Sequence, residues 1–342
     1  MYKFAFFEYM SGKNKLSLDE YVDGIRNNNR VILGKAISII ESTREEDRRI
    51  ATELISSLTP FTGNSIRMGI TGVPGVGKST FIEFFGQHLL ENNYKPAVLA
   101  IDPSSQTTGG SIMGDKTRME KLASSDQVFI RPSPSGKTLG GIASRTRETM
   151  LLCEAAGYDF ILIETVGVGQ SETAVKKITD FLLLLLLPGG GDDIQGLKKG
   201  IIEMADALVV NKADGDNLQL AKRTKDYYSQ ALHLLRQEEY WTPPVLTCSA
   251  LSGEGIPEIF NQITDYITTM KKLSLFENKR KEQALDWMYY RLEDLMKSHF
   301  YSNPMIKNEL QSITEMTKNQ NINPEQYARQ LFDLYLSTIS NK

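Results

Sequence analysis

One segment, residues 72–80, constrains the fold of this chain more than any other. It reads G-V-P-G-V-G-K-S-T and contains the pattern G-x-x-x-x-G-K-[ST] without a mismatch. An apolar run at 66–70 precedes it, and a helix-like run at 81–85 follows it. Glycines let backbone N–H groups close around a phosphate, and the N-terminus of a helix favours negative charge. The segment therefore predicts a phosphate-binding loop; the alternative is a glycine-rich turn that matches by chance.

The side chains of this loop have separate expected roles in binding a nucleoside triphosphate. Lys78 would reach the β- and γ-phosphates, and the Ser79 hydroxyl would ligate Mg²⁺. The predicted nucleotide-binding residues of the loop are Gly72, Val73, Pro74, Gly75, Val76, Gly77, Lys78, Ser79 and Thr80.

Strand-like and helix-like patterns alternate from residue 65 to about residue 270. The strand-like runs are mostly continuous and apolar, as in strands covered on both faces. The predicted strands are 66–71, 97–102, 128–131, 160–164, 181–187, 207–211 and 245–248. This alternation predicts an α/β fold of the P-loop NTPase type with a mainly parallel central sheet.

Both ends of the chain show helical patterns only. Residues 18–58 have apolar side chains at helical spacing, with a second helix opening at 45. We therefore expect an N-terminal helical extension (1–62), a nucleotide-binding domain (63–271) and a C-terminal helical arm (272–342). The apolar stripes of the arm would pack either on its own sheet or on a second copy of the chain.

Composition narrows the possible partners and the location. The net charge of the 342 residues is -3, so nothing in the overall charge favours binding of nucleic acid or an anionic membrane. The apolar run 181–187 is far shorter than the ~20 residues that span a bilayer. Two isolated cysteines, Cys153 and Cys248, and an N-terminus without a signal-peptide pattern predict a cytoplasmic protein.

Residues 211–214 read N-K-A-D and follow a predicted strand. The carboxylate of Asp214 can accept hydrogen bonds from guanine N1–H and from the N2 amine, whereas adenine lacks both donors. Asn211 and Lys212 would brace the loop and cover the ring. The alternative is a polar turn with Asp214 or Asp216 as a helix N-cap.

The next predicted strand ends in a second candidate for base recognition. Backbone N–H groups of Ser249, Ala250 and Leu251 could meet guanine O6. Cys248, just before them, is expected to be a small buried residue rather than a reactive thiol.

Three acidic residues could assist a metal ion near the phosphates. Asp102 and Glu164 each end a predicted strand, and Asp115 lies in a glycine-rich segment. Since Mg²⁺ takes a few carboxylates together with waters and phosphate oxygens, these residues are candidate metal neighbours. A purely structural role is the alternative.

Taken together, these segments resemble the MeaB/ArgK family of methylmalonyl-CoA mutase-associated GTPases over most of the chain. The segments that carry the resemblance are G-V-P-G-V-G-K-S-T at 72–80, I-D-P-S-S at 101–105, G-G-S-I-M-G-D-K-T-R-M at 109–119, R-P-S-P-S-G at 131–136, E-T-V-G-V-G-Q-S-E at 164–172, P-G-G-G-D-D-I-Q-G-L-K-K-G at 188–200 and N-K-A-D at 211–214.

The resemblance implies a GTP-hydrolysing chaperone that gates adenosylcobalamin loading and protects or reactivates an acyl-CoA mutase, such as methylmalonyl-CoA mutase. It also implies a homodimer formed by the C-terminal arm. The motif D-x-H-x-x-G of many cobalamin enzymes is absent, so cobalamin is not expected as a direct ligand.

The same resemblance implies roles for individual residues. Lys78, Asp102 and Glu164 become the catalytic set, and Ser79, Asp102, Asp115 and Glu164 the Mg²⁺ set. Segments 102–119 and 164–172 would sense the nucleotide, and segment 188–200 would respond to the partner. The residues implied for switching and partner response are Gln170, Lys198 and Lys199; without the resemblance, the two lysines read as a solvated helix face.

Hydrolysis would proceed by in-line attack of water on the γ-phosphate. No residue plainly matches a water-orienting glutamine, because Gln170 is displaced from the usual position. Arg118, Arg145 and Arg147 are the candidates for an arginine finger. We therefore expect slow intrinsic turnover that rises when a partner reorders the nucleotide-sensing segments.

Four other functions compete with this interpretation. An ATPase or GTPase linked to lysine, arginine or ornithine transport would need a membrane partner. ParA-like ATPases carry an additional lysine early in the loop, where this chain has Val73. Nickel delivery needs clustered cysteines and histidines, and those of this chain are isolated in sequence. A nucleotide-gated scaffold would carry the same motifs as the GTPase and differs only because its output is binding rather than turnover.

Overall fold

The computed structural model describes residues 16–42, 44–102, 119–134, 139–165, 171–189, 199–235, 240–318 and 321–340. Three helices form the N-terminal part: α1 (Leu18–Arg26), α2 (Arg30–Glu41) and α3 (Glu45–Leu58). The sequence pattern separated only two helices here. The additional break follows from Asn28, which has a left-handed φ of 54°, and from Asn29, whose side chain caps α2 by accepting from the N–H of Val31 and of Ile32.

The central part alternates strands and helices as the sequence predicts. Its elements are β1 (Ile66–Gly72), α4 (Lys78–Glu91), β2 (Pro96–Asp102), α5 (Glu120–Ala123), β3 (Phe129–Pro134), α6 (Leu139–Ala155), β4 (Phe160–Glu164), α7 (Ser171–Lys176), β5 (Phe181–Leu186), α8 (Lys199–Met204), β6 (Ala207–Val210), α9 (Leu218–Leu235), β7 (Val245–Thr247) and α10 (Ile256–Lys272). The described strands form one seven-stranded sheet in the order β3-β2-β4-β1-β5-β6-β7. Every pair of neighbours is parallel, so the predicted fold class is confirmed.

Apolar side chains cover both faces of this sheet, which is why its strands are apolar throughout. Strand β5 illustrates the alternation. Phe181, Leu183 and Leu185 pack in the core that includes α4 and α10. Leu182 packs with the N-terminal helices and α6, and Leu184 packs with α8 and α9. The N-terminal helices therefore share one core with the sheet.

A buried ion pair joins the start of β1 to α6. The Arg67 guanidinium donates to Glu154 twice, from Nε at 2.7 Å and from Nη2 at 3.0 Å. Glu154 also accepts from the Gly63 N–H and the Ser65 hydroxyl. Burial raises the pKa of Glu154, but these hydrogen bonds and the Arg67 charge outweigh it and hold the pKa below its usual value.

The C-terminal part is helical, as predicted. It consists of α11 (Leu275–Ser302), α12 (Pro304–Met316) and α13 (Pro324–Ser340). The chain divides into two compact units, Met1–Lys279 and Arg280–Lys342, and the second has a small core of Ile306, Ile313 and Leu331. The bounds of the three predicted domains stay a prediction. Among the described residues, no helix combines the length and apolarity needed to cross a bilayer.

Candidate nucleotide-binding site

The candidate site lies at the carboxyl edge of the sheet, where β1 ends. Strands β2, β3 and β4 lie on one side of β1, and β5, β6 and β7 lie on the other. Ligands of open parallel sheets bind in the crevice where the strand order reverses in this way. The strand order therefore brings the loops after β1, β4, β6 and β7 to the same edge.

The loop after β1 has the backbone that a phosphate-binding loop needs. Gly72, Gly75 and Gly77 have positive φ angles of 149°, 78° and 97°. Helix α4 begins directly after Gly77, so its unpaired N–H groups and positive dipole end face this loop. A Cβ on Gly72 would lie 2.5 Å from the carbonyl oxygen of Leu185, so a larger residue does not fit.

The side chain of Lys78 reaches back across the phosphate loop. Its Nζ donates to the carbonyl oxygens of Gly72, at 2.8 Å, and of Val73, at 3.3 Å. Burial lowers the pKa of Lys78, and the nearby carboxylate of Glu164 opposes that shift. A phosphate beside Nζ would act in the same direction as Glu164 and favour the charged ammonium.

Ser79 and Glu164 provide the oxygen atoms that suit a magnesium ion. The Ser79 hydroxyl donates to Oε1 of Glu164 at 3.1 Å, and Glu164 is buried at the end of β4. Among the described residues, no group of three or more His, Cys, Asp or Glu could hold a metal by itself. Mg²⁺ binds through one or two protein oxygens when phosphates and waters complete its shell, so a hydroxyl and a carboxylate fit the ion.

The N-K-A-D loop at 211–214, predicted to read guanine, is fastened directly to the phosphate loop. Asn211 Nδ2 donates to the Val76 carbonyl oxygen at 2.8 Å, and Lys212 Nζ donates to the Gly75 carbonyl oxygen at 2.8 Å. The expected bracing of the two loops is present as these two hydrogen bonds. Lys212 has a left-handed φ of 58°, which is uncommon for a residue other than glycine.

Asp214 is held by a side chain from the neighbouring strand end. Ser249 Oγ donates to Asp214 Oδ2 at 2.5 Å. Asp214 precedes the short 3₁₀ helix Gly215–Asn217, but its side chain makes no capping hydrogen bond there. The Asp214 carboxylate is therefore oriented by Ser249 rather than used as an N-cap, which argues against the polar-turn alternative for Asp214.

Two of the three predicted backbone donors after β7 already have partners within the protein. The Ser249 N–H donates to the Glu254 carbonyl oxygen at 3.0 Å, and the Ala250 N–H donates to Asn211 Oδ1 at 3.0 Å. A contact with guanine O6 would have to share these donors. Leu251, the third predicted residue, is 76% exposed at the same loop.

Cys248 contacts the site in a way that the sequence did not reveal. Its Sγ donates to Asn211 Oδ1 at 3.4 Å, so Asn211 links β7 with the phosphate loop. Burial, followed by the charge of Asp214, raises the pKa of Cys248 to about 12, which keeps the thiol protonated at neutral pH. The prediction of a small buried cysteine is confirmed. For its contact with Asn211, the only available sequence signal was its position directly after β7.

The remaining predicted residues lie at or beyond the limits of the description. Asp102 ends β2, and Lys199 begins α8. Asp115, Gln170 and Lys198, with the finger candidate Arg118, lie outside the described residues. Arg145 and Arg147 lie on α6, and Arg147 is buried.

Gly77→Ala is expected to weaken GTP binding by at least about tenfold. Gly77 has a φ of 97°, and an added Cβ would lie 2.7 Å from Asn211 Nδ2, so both loops would shift. Calorimetric titration with GTP measures the effect. The control is Gly34→Ala within α2, where nothing lies within 4 Å of the added Cβ. Equal GTP affinity of the two variants would contradict this prediction.

The chain is similar to known proteins in both sequence and structure. The family model described as methylmalonyl Co-A mutase-associated GTPase MeaB matches residues 33–305. GTPase ArgK of Escherichia coli (strain K12) is 44% identical over 319 residues, which cover 93% of this chain and 96% of that protein. The mitochondrial methylmalonic aciduria type A homolog of Mus musculus is 42% identical over 314 residues, which cover 89% of this chain and 76% of that protein. A crystal structure of an LAO/AO transport system kinase has a TM-score of 0.73 and 37% identity, and covers 95% of this chain and 99% of that one.

Proposed function

The chain belongs to the family of methylmalonyl-CoA mutase-associated GTPases, and we propose that it binds and hydrolyses GTP as the chaperone of an adenosylcobalamin-dependent acyl-CoA mutase. In this role it gates cofactor loading and protects or reactivates the mutase. The family model and the name of the mouse relative support the choice of partner. We propose the cytoplasm as the location, because both cysteines are free thiols.

One observation carries the proposal: the phosphate loop and the guanine-reading loop are tied together at a single sheet edge. Lys212 and Asn211 donate to the carbonyls of Gly75 and Val76, while Ser249 orients Asp214. A phosphate cradle and a guanine-reading carboxylate at a fixed separation suit GTP or GDP. The bracing also means that a bound base and bound phosphates stabilise each other's loops.

Within this site each side chain has a distinct task in hydrolysis. Lys78 places its ammonium against the β- and γ-phosphates, where negative charge builds during in-line attack by water. Ser79 and Glu164 are the described residues that would hold Mg²⁺, and we add Asp102 and Asp115 to that set from the resemblance. When bound, the ion neutralises charge on the phosphate oxygens. Asp214 selects guanine and keeps the nucleotide in register.

The partner is proposed to accelerate hydrolysis. In sequence, Gln170 is displaced from the usual position of a water-orienting glutamine, and the finger candidates Arg145 and Arg147 lie on α6. Single-turnover GTP hydrolysis should therefore be slow for the chain alone and faster with an acyl-CoA mutase. Equal rates with and without methylmalonyl-CoA mutase would contradict a partner-activated GTPase. A pull-down with the GTP-bound and GDP-bound forms would identify another client.

A homodimer is proposed from an apolar stripe on α11. Leu285, Met288, Leu292 and Leu295 follow the spacing of heptad positions a and d, and each is 51–57% exposed. A stripe of this kind is covered when two copies pack their helices together.

Leu292→Glu is expected to convert the dimer into a monomer, because it places a charge in the centre of the stripe. Sedimentation equilibrium of the full chain should change from about twice 38.4 kDa to 38.4 kDa. Val31→Glu, at a more exposed apolar side chain of α2, is the control and should leave the mass unchanged. A wild-type chain that sediments as a monomer would refute the proposed dimer.

Nucleotide-driven amino-acid transport is the alternative function, because one similar crystal structure is named an LAO/AO transport system kinase. An ATPase of that kind needs a site that accepts adenine. The Asp214 carboxylate would face the N1 acceptor of adenine without a donor, which is unfavourable. Comparison of GTP and ATP affinities by calorimetry therefore discriminates the two functions, and a preference for ATP would favour transport.

A further inference from the structure

Helix α9 buries one row of side chains and exposes the row beside it. The buried row packs in one core with side chains of β5, β6 and β7, and its apolar members are Ala221, Tyr228 and Leu232. The exposed row consists of Leu220, Arg223 and Tyr227. These three residues lie at positions i, i+3 and i+7 and therefore share one face of the helix. We call them the α9 row.

The α9 row combines large apolar side chains with a cation. Leu220 is 41% exposed and Tyr227 is 48% exposed, and the exposed Arg223 lies between them. Tyrosine and arginine are enriched among the residues that contribute most to protein–protein binding. A row of this composition on the surface of a helix is therefore suited to contact another protein.

The first turns of α9 carry positive charges that no described residue neutralises. Lys222, Arg223 and Lys225 form no ion pair within the described part of the chain, although Asp226 lies four residues after Lys222. The first turn contains no acidic residue, and Asp216 lies before the helix. Cations near a helix N-terminus are disfavoured by the helix dipole. The charges around the α9 row therefore favour an anionic partner from outside the chain.

The α9 row lies at the same edge of the sheet as the candidate nucleotide site. The 3₁₀ helix Gly215–Asn217, which follows Asp214, leads directly into α9. Beyond β5, the Gly189 N–H donates to Thr224 Oγ1 at 2.9 Å, and a Cβ on Gly189 would lie 2.9 Å from Leu220 Cδ2. A protein bound to the row would therefore lie beside the nucleotide rather than at the opposite edge of the sheet.

We propose that the α9 row is the docking surface for the client protein, and that the docking segment of the client carries carboxylates beside a large apolar side chain. This inference rests on the proposed chaperone function and adds the surface that recognises the client. A carboxylate can accept two parallel hydrogen bonds from Arg223, while the apolar side chain packs between Leu220 and Tyr227.

A second copy of the chain is a poorer occupant of the α9 row. A symmetric contact between two copies brings the same patch of each copy together. Both patches would then present Lys222 and Arg223, and such like charges across an interface are unfavourable. An acidic surface on a different protein avoids this repulsion and supplies the missing negative charge.

The affinity for methylmalonyl-CoA mutase, measured by calorimetry with the full chain bound to a non-hydrolysable GTP analogue, tests the docking surface. Tyr227→Ala removes an apolar contact and Arg223→Glu opposes the carboxylates, so each should weaken binding at least about tenfold. The wild-type affinity should fall as the salt concentration rises, and Arg223→Glu should lose most of this dependence. The matched controls are Val31→Ala on α2 and Arg49→Glu on α3, which change exposed side chains and should bind like the wild type.

The outcomes separate this inference from the proposed function. Both row variants should keep the wild-type affinity for GTP, since neither residue belongs to the nucleotide site. If they bind the mutase within about twofold of the wild type, the docking surface is refuted and the chaperone proposal stands. If the wild-type chain binds GTP but not the mutase, the proposed client is refuted together with its docking surface. A lower sedimentation mass of Tyr227→Ala alone would assign the row to a second copy and refute its assignment to the client.

Discussion

Replacement of Lys78 with alanine is expected to lower the rate of GTP hydrolysis by at least about 100-fold. Lys78 is the residue whose ammonium lies across the phosphate loop, 2.8 Å from the Gly72 carbonyl oxygen. Without it, the negative charge that builds on the phosphate oxygens in the transition state loses its nearest protein cation. Single-turnover release of phosphate from GTP, at saturating protein, measures the loss.

The matched control for this experiment is Lys95→Ala. Lys95 is exposed and directly precedes β2, at the opposite edge of the sheet from the phosphate loop. The Lys95→Ala variant should hydrolyse GTP at the wild-type rate. Hydrolysis by Lys78→Ala within a few-fold of the wild type would remove the assignment of the phosphate site, provided that thermal unfolding shows both variants folded.

Asp214→Asn is expected to change the base preference from guanine to xanthine. The asparagine amide offers one acceptor and one donor, so it loses the bond to the guanine N2 amine but can donate to xanthine O2. Hydrogen bonds to a charged group contribute about 1.5–3 kcal/mol each, so GTP affinity should fall by at least about tenfold while XTP affinity rises. Calorimetric titration with GTP, XTP and ATP measures all three.

Asp216→Asn is the control for the base-specificity experiment. Asp216 lies in the 3₁₀ helix Gly215–Asn217, carries the same charge and is exposed, but is not oriented by Ser249. The Asp216→Asn substitution should leave GTP affinity unchanged. If Asp214→Asn binds GTP as tightly as Asp216→Asn, Asp214 does not read the base, and the polar-turn interpretation of the N-K-A-D segment returns.

Local patterns were sufficient to predict the elements of the fold. The alternation of apolar runs with helical patterns predicted every strand of the described sheet, because strands buried on both faces must be apolar throughout. The break at Asn28 and Asn29 was missed within 18–58. It depends on one left-handed residue followed by a capping side chain, and both are weaker signals than the apolar periodicity on either side.

The candidate site was predicted residue by residue but not contact by contact. The phosphate loop and the N-K-A-D segment are each contiguous in sequence, so Lys78, Ser79 and Asp214 could be named directly. The hydrogen bonds from the Ser249 hydroxyl to Asp214 and from the Cys248 thiol to Asn211 could not be predicted, since they join residues 35 and 37 positions apart. Such contacts depend on which strands are neighbours.

The sequence alone predicted a phosphate loop, an N-K-A-D loop after a strand and a mainly parallel sheet, because each depends on residues adjacent along the backbone. Only the tertiary structure decided that β1 lies between β4 and β5 and that Asn211 and Lys212 fasten the two loops together. The physical reason is that strand order and side-chain pairing are settled by packing between segments distant in sequence, which local periodicity does not encode.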